Sequence, residues 1–558
     1  MRHCERGTSE AISQMKVKSY KFKVASLLFT IGYSLFAIGS LHAQQKNLLL
    51  NREWGLEVEK NNGTAKTQLD TSSFKKMIRP SDGVIPFQSC FKPRLESESD
   101  YKRENTGSSK KYLIRKIKQE SLFIVNDTAD KFHMTIDPLF NFEFGRDVAS
   151  RDTIPEKIYQ NTRGVIVRGD IGKKFSFESS FYENQATFAS YIDSFNEKYF
   201  VVPGQGRWKK FKNNGYDFAM ASGYVSYSPS KHFNFQVGHG KHFVGDGYRS
   251  LLLSDNAFNY PYARITSTFG KFQYTNLYAV FMNLTDGGVK APPGTEPIFQ
   301  KKAGNFQFLS WNIQKRVQLG FFQGVIWQAS DSMNNQHLSF SYFSPIIYNA
   351  ALTEGLAGKN NVLLGWTLKI KITKSISVYG QYMLDDIGGY KNGVQAGFTY
   401  FDVFGIKNLH LQLEGNDVSS YSYSSALPAQ SYSHYNQPLA HPLGANFIEG
   451  ISFLNYHFKD FFTQLKINYA VTGWDHLGSN YGNNIFISDT NIPVDLPWGN
   501  RTLRIIDFRI GYLVNPTTNF NIVAGISNRN SVSPVENSQT NYLYFGIRTS
   551  LSNVYYDF

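Results

Sequence analysis

NVLLGWTLKIKI, Asn361 to Ile372, reads as a β-strand before anything else is known of the chain. Val362, Leu364, Trp366, Leu368, Ile370 and Ile372 fall on one side, and Leu363, Gly365, Thr367, Lys369 and Lys371 on the other. A strand turns successive side chains to opposite faces, so this spacing makes one apolar face and one mixed face. TKSISVYGQYML follows at once, and the two segments form a hairpin with almost no loop. FTQLKINYAV repeats the pattern, with Phe462, Gln464, Lys466 and Asn468 opposite Thr463, Leu465, Ile467 and Tyr469. RIIDFRIGYLV sets Asp507 and Arg509 opposite Ile506, Phe508, Ile510 and Tyr512.

From about Phe132 onward such strands alternate with turns. SPSKH, KITKS and VNPTTN are short connections. Pro203 to Asn214, Asp286 to Lys301, Asn416 to Asn446 and Thr472 to Asn500 are long and polar. Short turns on one side and long loops on the other belong to a transmembrane β-barrel, whose strands of roughly ten residues cross the hydrocarbon tilted. In lipid every backbone amide needs a partner, so the sheet has to close. The expected fold class is all-β, a closed antiparallel barrel of about 18 strands, with 16 as the alternative because single-chain barrels use even numbers. The composition agrees: aromatic content is 16% and mean hydropathy −0.34, an average over a lipid face and a polar lumen.

The first residues carry an export signature. Lys16, Lys18, Lys21 and Lys23 precede an apolar run from Val24 to Leu41, and Leu41-His42-Ala43 makes a cleavage site. Residues 1–43 are therefore expected to be a signal peptide. Of the two cysteines, Cys4 lies in that signal, which leaves Cys90 alone and excludes a disulfide framework. Residues 44–130 are rich in Lys, Glu, Ser and Asn and poor in strand patterns; Arg94 to Lys111 looks solvated. Within them Lys110 to Phe123 fits a basic amphipathic helix with Leu113, Ile114, Ile117 and Leu122 on its apolar side. We expect a periplasmic segment here and the barrel over 131–558. More than half of the net charge of +14 lies before the barrel, so the basic balance reflects export and periplasmic residues, and no nucleic-acid motif is present. At the other end Leu543, Phe545, Ile547 and Leu551 form one face and Tyr544, Gly546, Arg548 and Ser550 the other, as in a final barrel strand. The last residue, Phe558, resembles the signal that barrel-assembly machinery reads.

GHGKHFVGDGYRSLLLSDNAFNYPYARI, Gly238 to Ile265, invites other readings. It lacks the GxxxxGK[ST] of a phosphate loop, and an all-β context denies it a dinucleotide fold. His239 and His242 are three apart, which on a strand sends them to opposite faces, and no cysteine or carboxylate cluster joins them as metal ligands. The glycines instead let a strand end fold back into the lumen.

The same stretch resembles the Wzi-type family of capsule-assembly outer-membrane barrels, and within it the RemB-like members of gliding Gram-negative bacteria. Ser431 to Gly450, SYSHYNQPLAHPLGANFIEG, is similar to that family's later His/Gly loop, and Tyr379 to Ile387, YGQYMLDDI, to its mid-barrel strand. The likeness runs from about Tyr112 onward; the segment from Gln44 to about Glu104 lies outside it. It implies an outer-membrane barrel of about 18 strands with a periplasmic helical element. It further implies a part in surface polysaccharide binding or assembly and in gliding, with outer-membrane lipid, a surface polysaccharide and periplasmic gliding or secretion machinery as partners.

Sugar recognition wants aromatic faces beside planar polar groups. His239, Asp246, Tyr248, Arg249, Asp255 and Asn256 in the first stretch supply them, as do His434, Tyr435, His441 and Asn446 in the second. The same residues could equally brace loops inside the lumen. The alternative function is a porin-like diffusion channel for anionic or neutral solutes. GxSxG and HExxH are absent and no motif singles out a nucleophile with its base, so the chain is expected to be no enzyme and to need no cofactor and no metal.

Overall fold

The computed structural model describes Arg52 and residues 112–558, apart from the stretches 128–130, 150–156, 173, 285–298, 331–339, 357–359, 387–389, 476–479, 489–498 and 550. The signal peptide and most of the segment before Tyr112 lie outside the described residues.

In chain order the described elements are α1 (Tyr112–Lys118), β1 (Phe123–Asp127), β2 (Phe132–Asp147), β3 (Lys157–Ile171), β4 (Phe175–Thr187), α2 (Ser190–Tyr199), β5 (Lys209–Phe211), β6 (Gly215–Tyr227), β7 (Phe233–Gly240), β8 (Tyr260–Phe269), β9 (Phe272–Asn283), β10 (Gln300–Gln314) and β11 (Val317–Gln328). They continue with α3 (Asn349–Glu354), β12 (Asn361–Lys371), β13 (Ile376–Asp386), β14 (Lys391–Phe401), β15 (Leu409–Val418), β16 (Ser433–His434), β17 (Gln437–Pro438), β18 (Phe447–Phe458), β19 (Phe461–Gly473), β20 (Asn500–Asn515), β21 (Phe520–Val532) and β22 (Asn537–Arg548). Three short 3-10 turns complete the set.

Eighteen of these strands form one antiparallel ring, each paired with its neighbours in sequence order. The ring closes where β2 meets β22, from Asn141 opposite Arg548 to Asp147 opposite Tyr542. The expected 18 strands are therefore found, rather than 16. The strand Asn361–Lys371 pairs with Ile376–Asp386 as the hairpin read from sequence. Its Leu368 faces outward and is exposed, while Lys369 points inward and is buried. The same alternation runs round the ring. Phe181, Val237, Ile448, Leu454, Ile506, Phe508 and Phe545 are exposed on the outside, and Gln381, Gln412, Glu414, Asn455 and Asn468 are buried inside. An apolar outer belt over a fully paired backbone is what hydrocarbon requires, and closed single-chain barrels with an even strand number are outer-membrane structures. This is an outer-membrane barrel. By the same rule its short turns face the periplasm and its long loops the outside.

Below the closing pair, β1 takes over the free edge of β2, with Phe123 opposite Ile136 and Asp127 opposite Phe132. Among the described residues the sheet thus begins at Phe123. Of the helix expected over 110–123 the described part is Tyr112–Lys118; it stops short of Phe123 because the Asp137 side chain on β2 accepts the Leu122 N–H (2.8 Å) and draws the chain into the sheet. Leu122 accordingly lies beyond the helix. Asn515 and Thr517 in the β20–β21 turn hold the helix end, donating to the carbonyls of Lys116 (3.2 Å), Glu120 (3.0 Å) and Gln119 (2.8 Å).

The chain after β22 departs from the sequence reading. The strand ends at Arg548, and residues 551–558 turn into the lumen. Leu543 and Phe545 do face outward, but Leu551 packs against Leu139, Ile166, Tyr182 and Met220 inside. The reason is polar: the Tyr555 hydroxyl donates to Asp255 (2.7 Å) and the Asn553 amide donates to the same carboxylate (3.0 Å). Asp557 meets Arg249 at 3.1 Å.

Candidate functional site

Among the described residues, three pieces of chain organise the inside of the barrel, residues 241–259, 419–446 and 551–558, and Arg52 and the connection that carries α2 reach it as well. The first leaves β7 at Gly240, enters the barrel and returns to β8 at Tyr260. Its path depends on glycine. Gly245 has φ +140°, and a side chain there would run into Gln381; one at Gly247 would run into the Glu414 carboxylate.

Glu414 projects inward from β15 and accepts two successive backbone amides, Tyr248 N–H (2.6 Å) and Arg249 N–H (3.0 Å). The Tyr379 hydroxyl donates to the same carboxylate (2.8 Å). Gln381 on β13 accepts the Leu251 N–H (2.9 Å) and donates to the Val244 carbonyl (3.0 Å); Gln395 on β14 donates to the Arg249 carbonyl (3.0 Å). The irregular loop thus borrows wall side chains where a strand would use another strand. Leu251, Leu252 and Leu253 then bury completely in the central apolar cluster, whose Tyr423 and Tyr432 hydroxyls donate to the carbonyls of Leu251 (2.8 Å) and Leu252 (2.6 Å).

Arg249 is the hub. Its guanidinium bonds Glu449 of β18 (3.1 Å) and Asp557 (3.1 Å), and it lies 4.8 Å from the Tyr248 ring and 5.3 Å from the Tyr555 ring. Burial opposes its charge, but Asp557 and Glu449 more than offset this, so its pKa lies well above the ordinary arginine value. His441 donates from Nε2 to Glu449 (2.8 Å) while its Nδ1 accepts the Leu443 N–H (3.2 Å), the arrangement of a neutral imidazole. Burial holds its pKa below the usual histidine value against the pull of Glu449. Lys466 and the Tyr248 hydroxyl complete the shell of Asp557 at 3.3 and 2.8 Å.

The structure brings most of the sequence candidates to this lumen system. Tyr248, Arg249 and His441 belong to the hub. Asp246 pairs with Lys369 (2.9 Å), Asp255 holds the C-terminal segment, and Asn256 donates to the Pro438 carbonyl (3.0 Å). His434 sits under Tyr435: its Nδ1 accepts the Met282 N–H (3.0 Å) and its Nε2 meets the Asn259 carbonyl (3.0 Å). Burial pushes its pKa down to about 3. Asn446 donates to the Tyr481 carbonyl (2.8 Å). His239 is outside the hub, on the face of β7 that carries Phe235 and Val237, bonded to the Ala221 carbonyl (3.0 Å) and edge-on to the Phe258 ring (6.0 Å). His242 lies past the end of β7, on the inward-folding loop, and is buried against Tyr260 and Tyr262. Among the described residues no three His, Cys, Asp or Glu side chains gather as a metal-ligand set.

Arg249 and His441 are 1% and 0% exposed, so these groups brace the loops rather than meet a polymer from outside. Sequence reasoning missed their partners Glu414, Glu449 and Asp557. A carboxylate at an inward strand position, as in LQLEGNDV and FIEGISFL, was the available signal. Next to the braced loops, the connections that carry α2 and that join β19 to β20 contribute aromatic side chains. Tyr199 and Phe486 pack at 5.6 Å between ring centres beside exposed Phe200, with the Asn436 amide donating to the Tyr199 carbonyl (3.1 Å). Behind residues 551–557, against the walls of β2–β4 and β19–β22, lies a cavity of about 400 Å³. Glu143, Asp507, Arg509 and Tyr544 are among its lining. Arg52 reaches it from the N-terminal segment, with its guanidinium 3.7 Å from the Phe453 ring and bonded to Gln412 (2.7 Å).

No protein-family model matches the chain, and no curated protein matches it. Among solved structures it is similar to Wzi of Escherichia coli, an outer-membrane protein involved in group 1 capsule assembly and described as a carbohydrate-binding β-barrel. The identity is 14% over 74% of this chain and 85% of that one, with a TM-score of 0.49. It is also similar to the outer-membrane protein OpdK of Pseudomonas aeruginosa, at 10% identity, 77% and 100% coverage and a TM-score of 0.41. OccAB2 of Acinetobacter baumannii is similar at 11% identity, 75% and 98% coverage and a TM-score of 0.39.

Proposed function

We propose that this chain is a non-enzymatic outer-membrane barrel that holds a surface polysaccharide at its outer mouth. The observation that carries the reading is the filled lumen. Residues 241–259 and 419–446 are locked inside by Glu414, Glu449 and Arg249, and they support a rigid rim that ends in Tyr199, Phe200 and Phe486. Aromatic faces next to amide groups such as Asn436 are suited to sugar rings and their hydroxyls. A diffusion channel would need an unobstructed path; three segments of the chain stand in the lumen, and the space beside them is the cavity of about 400 Å³. The resemblance of Gly238–Ile265 and Ser431–Gly450 to capsule-assembly and gliding barrels favours a polymer used in surface attachment or surface movement.

The test is the fraction of surface polysaccharide that stays cell-bound in a clean deletion strain, complemented by wild type or by Phe200→Ser/Phe486→Ser. Shedding of polymer at unchanged total synthesis, restored by wild type and not by the rim variant, is the expected result. Unchanged retention in the deletion strain would remove the polysaccharide reading.

A further inference from the structure

The connection between β11 and β12 does the opposite of residues 241–259: it leaves the outer rim and lies on the outside of the wall. The sidedness follows from the strands. Phe306 of β10 and Phe322 of β11 face inward to the core with Tyr432, so Asn305, Gln307 and Gln323 face outward, where lipid belongs. Asn305 and Gln307 are nevertheless buried, because residues 342–351 cover them. Four successive carbonyls of this cover are met by wall side chains. Asn305 donates to Tyr342, the Tyr278 hydroxyl to Phe343 (3.2 Å), Gln307 to Ser344 (2.6 Å) and the Tyr274 hydroxyl to Pro345 (2.5 Å). Returning, Gln323 accepts the Ala351 N–H (3.3 Å), and Ala350 packs with Val325, Trp327 and Val362 in an apolar cluster outside the barrel.

We infer that residues 342–352 form a strap embedded in the hydrocarbon layer, its outer side in contact with lipid acyl chains. Depth supports this. β9 has 12 residues, about the number a tilted strand needs to cross, and Tyr278 and Tyr274 sit five and nine residues below its outer end. Chemistry supports it as well. Irregular backbone survives in lipid only when its polar groups are paired, and these carbonyls are paired one by one. Phe343 lies on the wall rings of Tyr278 and Trp327 and is 44% exposed, while Ile346 and Leu352 are exposed by 65% and 84%; the three continue the apolar belt of Val280 and Leu368.

The test uses the full chain in proteoliposomes, in a Cys4→Ser/Cys90→Ser background, with a fluorophore on Ile346→Cys or Leu352→Cys. Quenching by nitroxides on mid-acyl positions at least about threefold stronger than by aqueous iodide is expected for both sites. Stronger quenching by iodide would overturn the inference. So would lipid quenching that emerges only as the protein is diluted, since a second copy would then cover the strap. Asn305→Leu/Gln307→Leu makes the bare wall more apolar yet removes two of the clamps. It should change lipid quenching at Leu352→Cys by about twofold or more with barrel mobility on gels retained, and an unchanged signal would refute the clamp. Should that double variant fail to assemble, the readings at Ile346→Cys and Leu352→Cys decide alone.

Discussion

Residues 241–259 and residues 342–352 both belong to connections that start at the outer rim, and they end on opposite sides of the same wall. The inner one is held through its backbone amides by Glu414 and Gln381 and through its carbonyls by Gln381 and Gln395, all facing the lumen. The outer one is held mostly through its carbonyls, by the lipid-side donors Tyr274, Tyr278 and Gln307, and at one amide by Gln323. The rule they share is that a barrel accepts irregular chain on either face when the strands offer side chains of the opposite hydrogen-bonding sense. The difference is charge. The lumen tolerates Glu414, Glu449 and Arg249 because they pair with each other and with loops, whereas the described clamps of the outer strap are all neutral.

The inner arrangement should be the more fragile. Gly247→Val forces a side chain into Glu414, and Gly245→Val into Gln381 at a positive φ, so both should abolish the heat-modifiable band of the assembled barrel. A Val variant that shifts like wild type would show that the backbone path does not need glycine. Arg249→Met leaves Glu449 and Asp557 facing one another without their shared cation and should cost about 3–5 kcal/mol in urea unfolding. Acid should act next. His434 is neutral when folded, with a pKa near 3, and protonates when unfolded near 6.5. Its contribution is therefore full above about pH 7 and falls as pH drops below the unfolded value. Between pH 7 and 5 the loss is about 2 kcal/mol, and His434→Gln should flatten that part of the stability profile. A profile unaltered by the substitution would place the acid sensitivity elsewhere. On the outer side, Gln307→Leu strands a carbonyl of the strap at about 1–3 kcal/mol without unseating the barrel. His239→Ala, outside the hub and bonded to one carbonyl, should change stability by under about 1 kcal/mol and leave assembly intact.

The ring was legible because two-residue alternation is a local property: Leu368 and Lys369, or Phe508 and Arg509, announce their faces within a few residues. The inward course of Gly238–Ile265 was legible for a related reason, as glycines placed at a strand end ask for an unusual path. Partners were not legible. Arg249 and Glu449 lie 200 positions apart and Arg249 and Asp557 farther still, and nothing local to either residue names the other. The C-terminal segment was misread since Leu551 keeps the register of Leu543 and Phe545 while Tyr555 and Asp557 answer to partners across the lumen. The outer strap escaped for the opposite reason. Asn305, Gln307 and Gln323 break the apolar side of their strands, which looks like weak patterning until a piece of chain is found on top of them.

The filled lumen is the central claim, and current through single purified barrels in planar bilayers tests it most directly. The account predicts that the wild-type chain conducts no steady current at moderate voltage. Stable open-channel steps from wild type would contradict it and put the alternative, a diffusion channel, in its place.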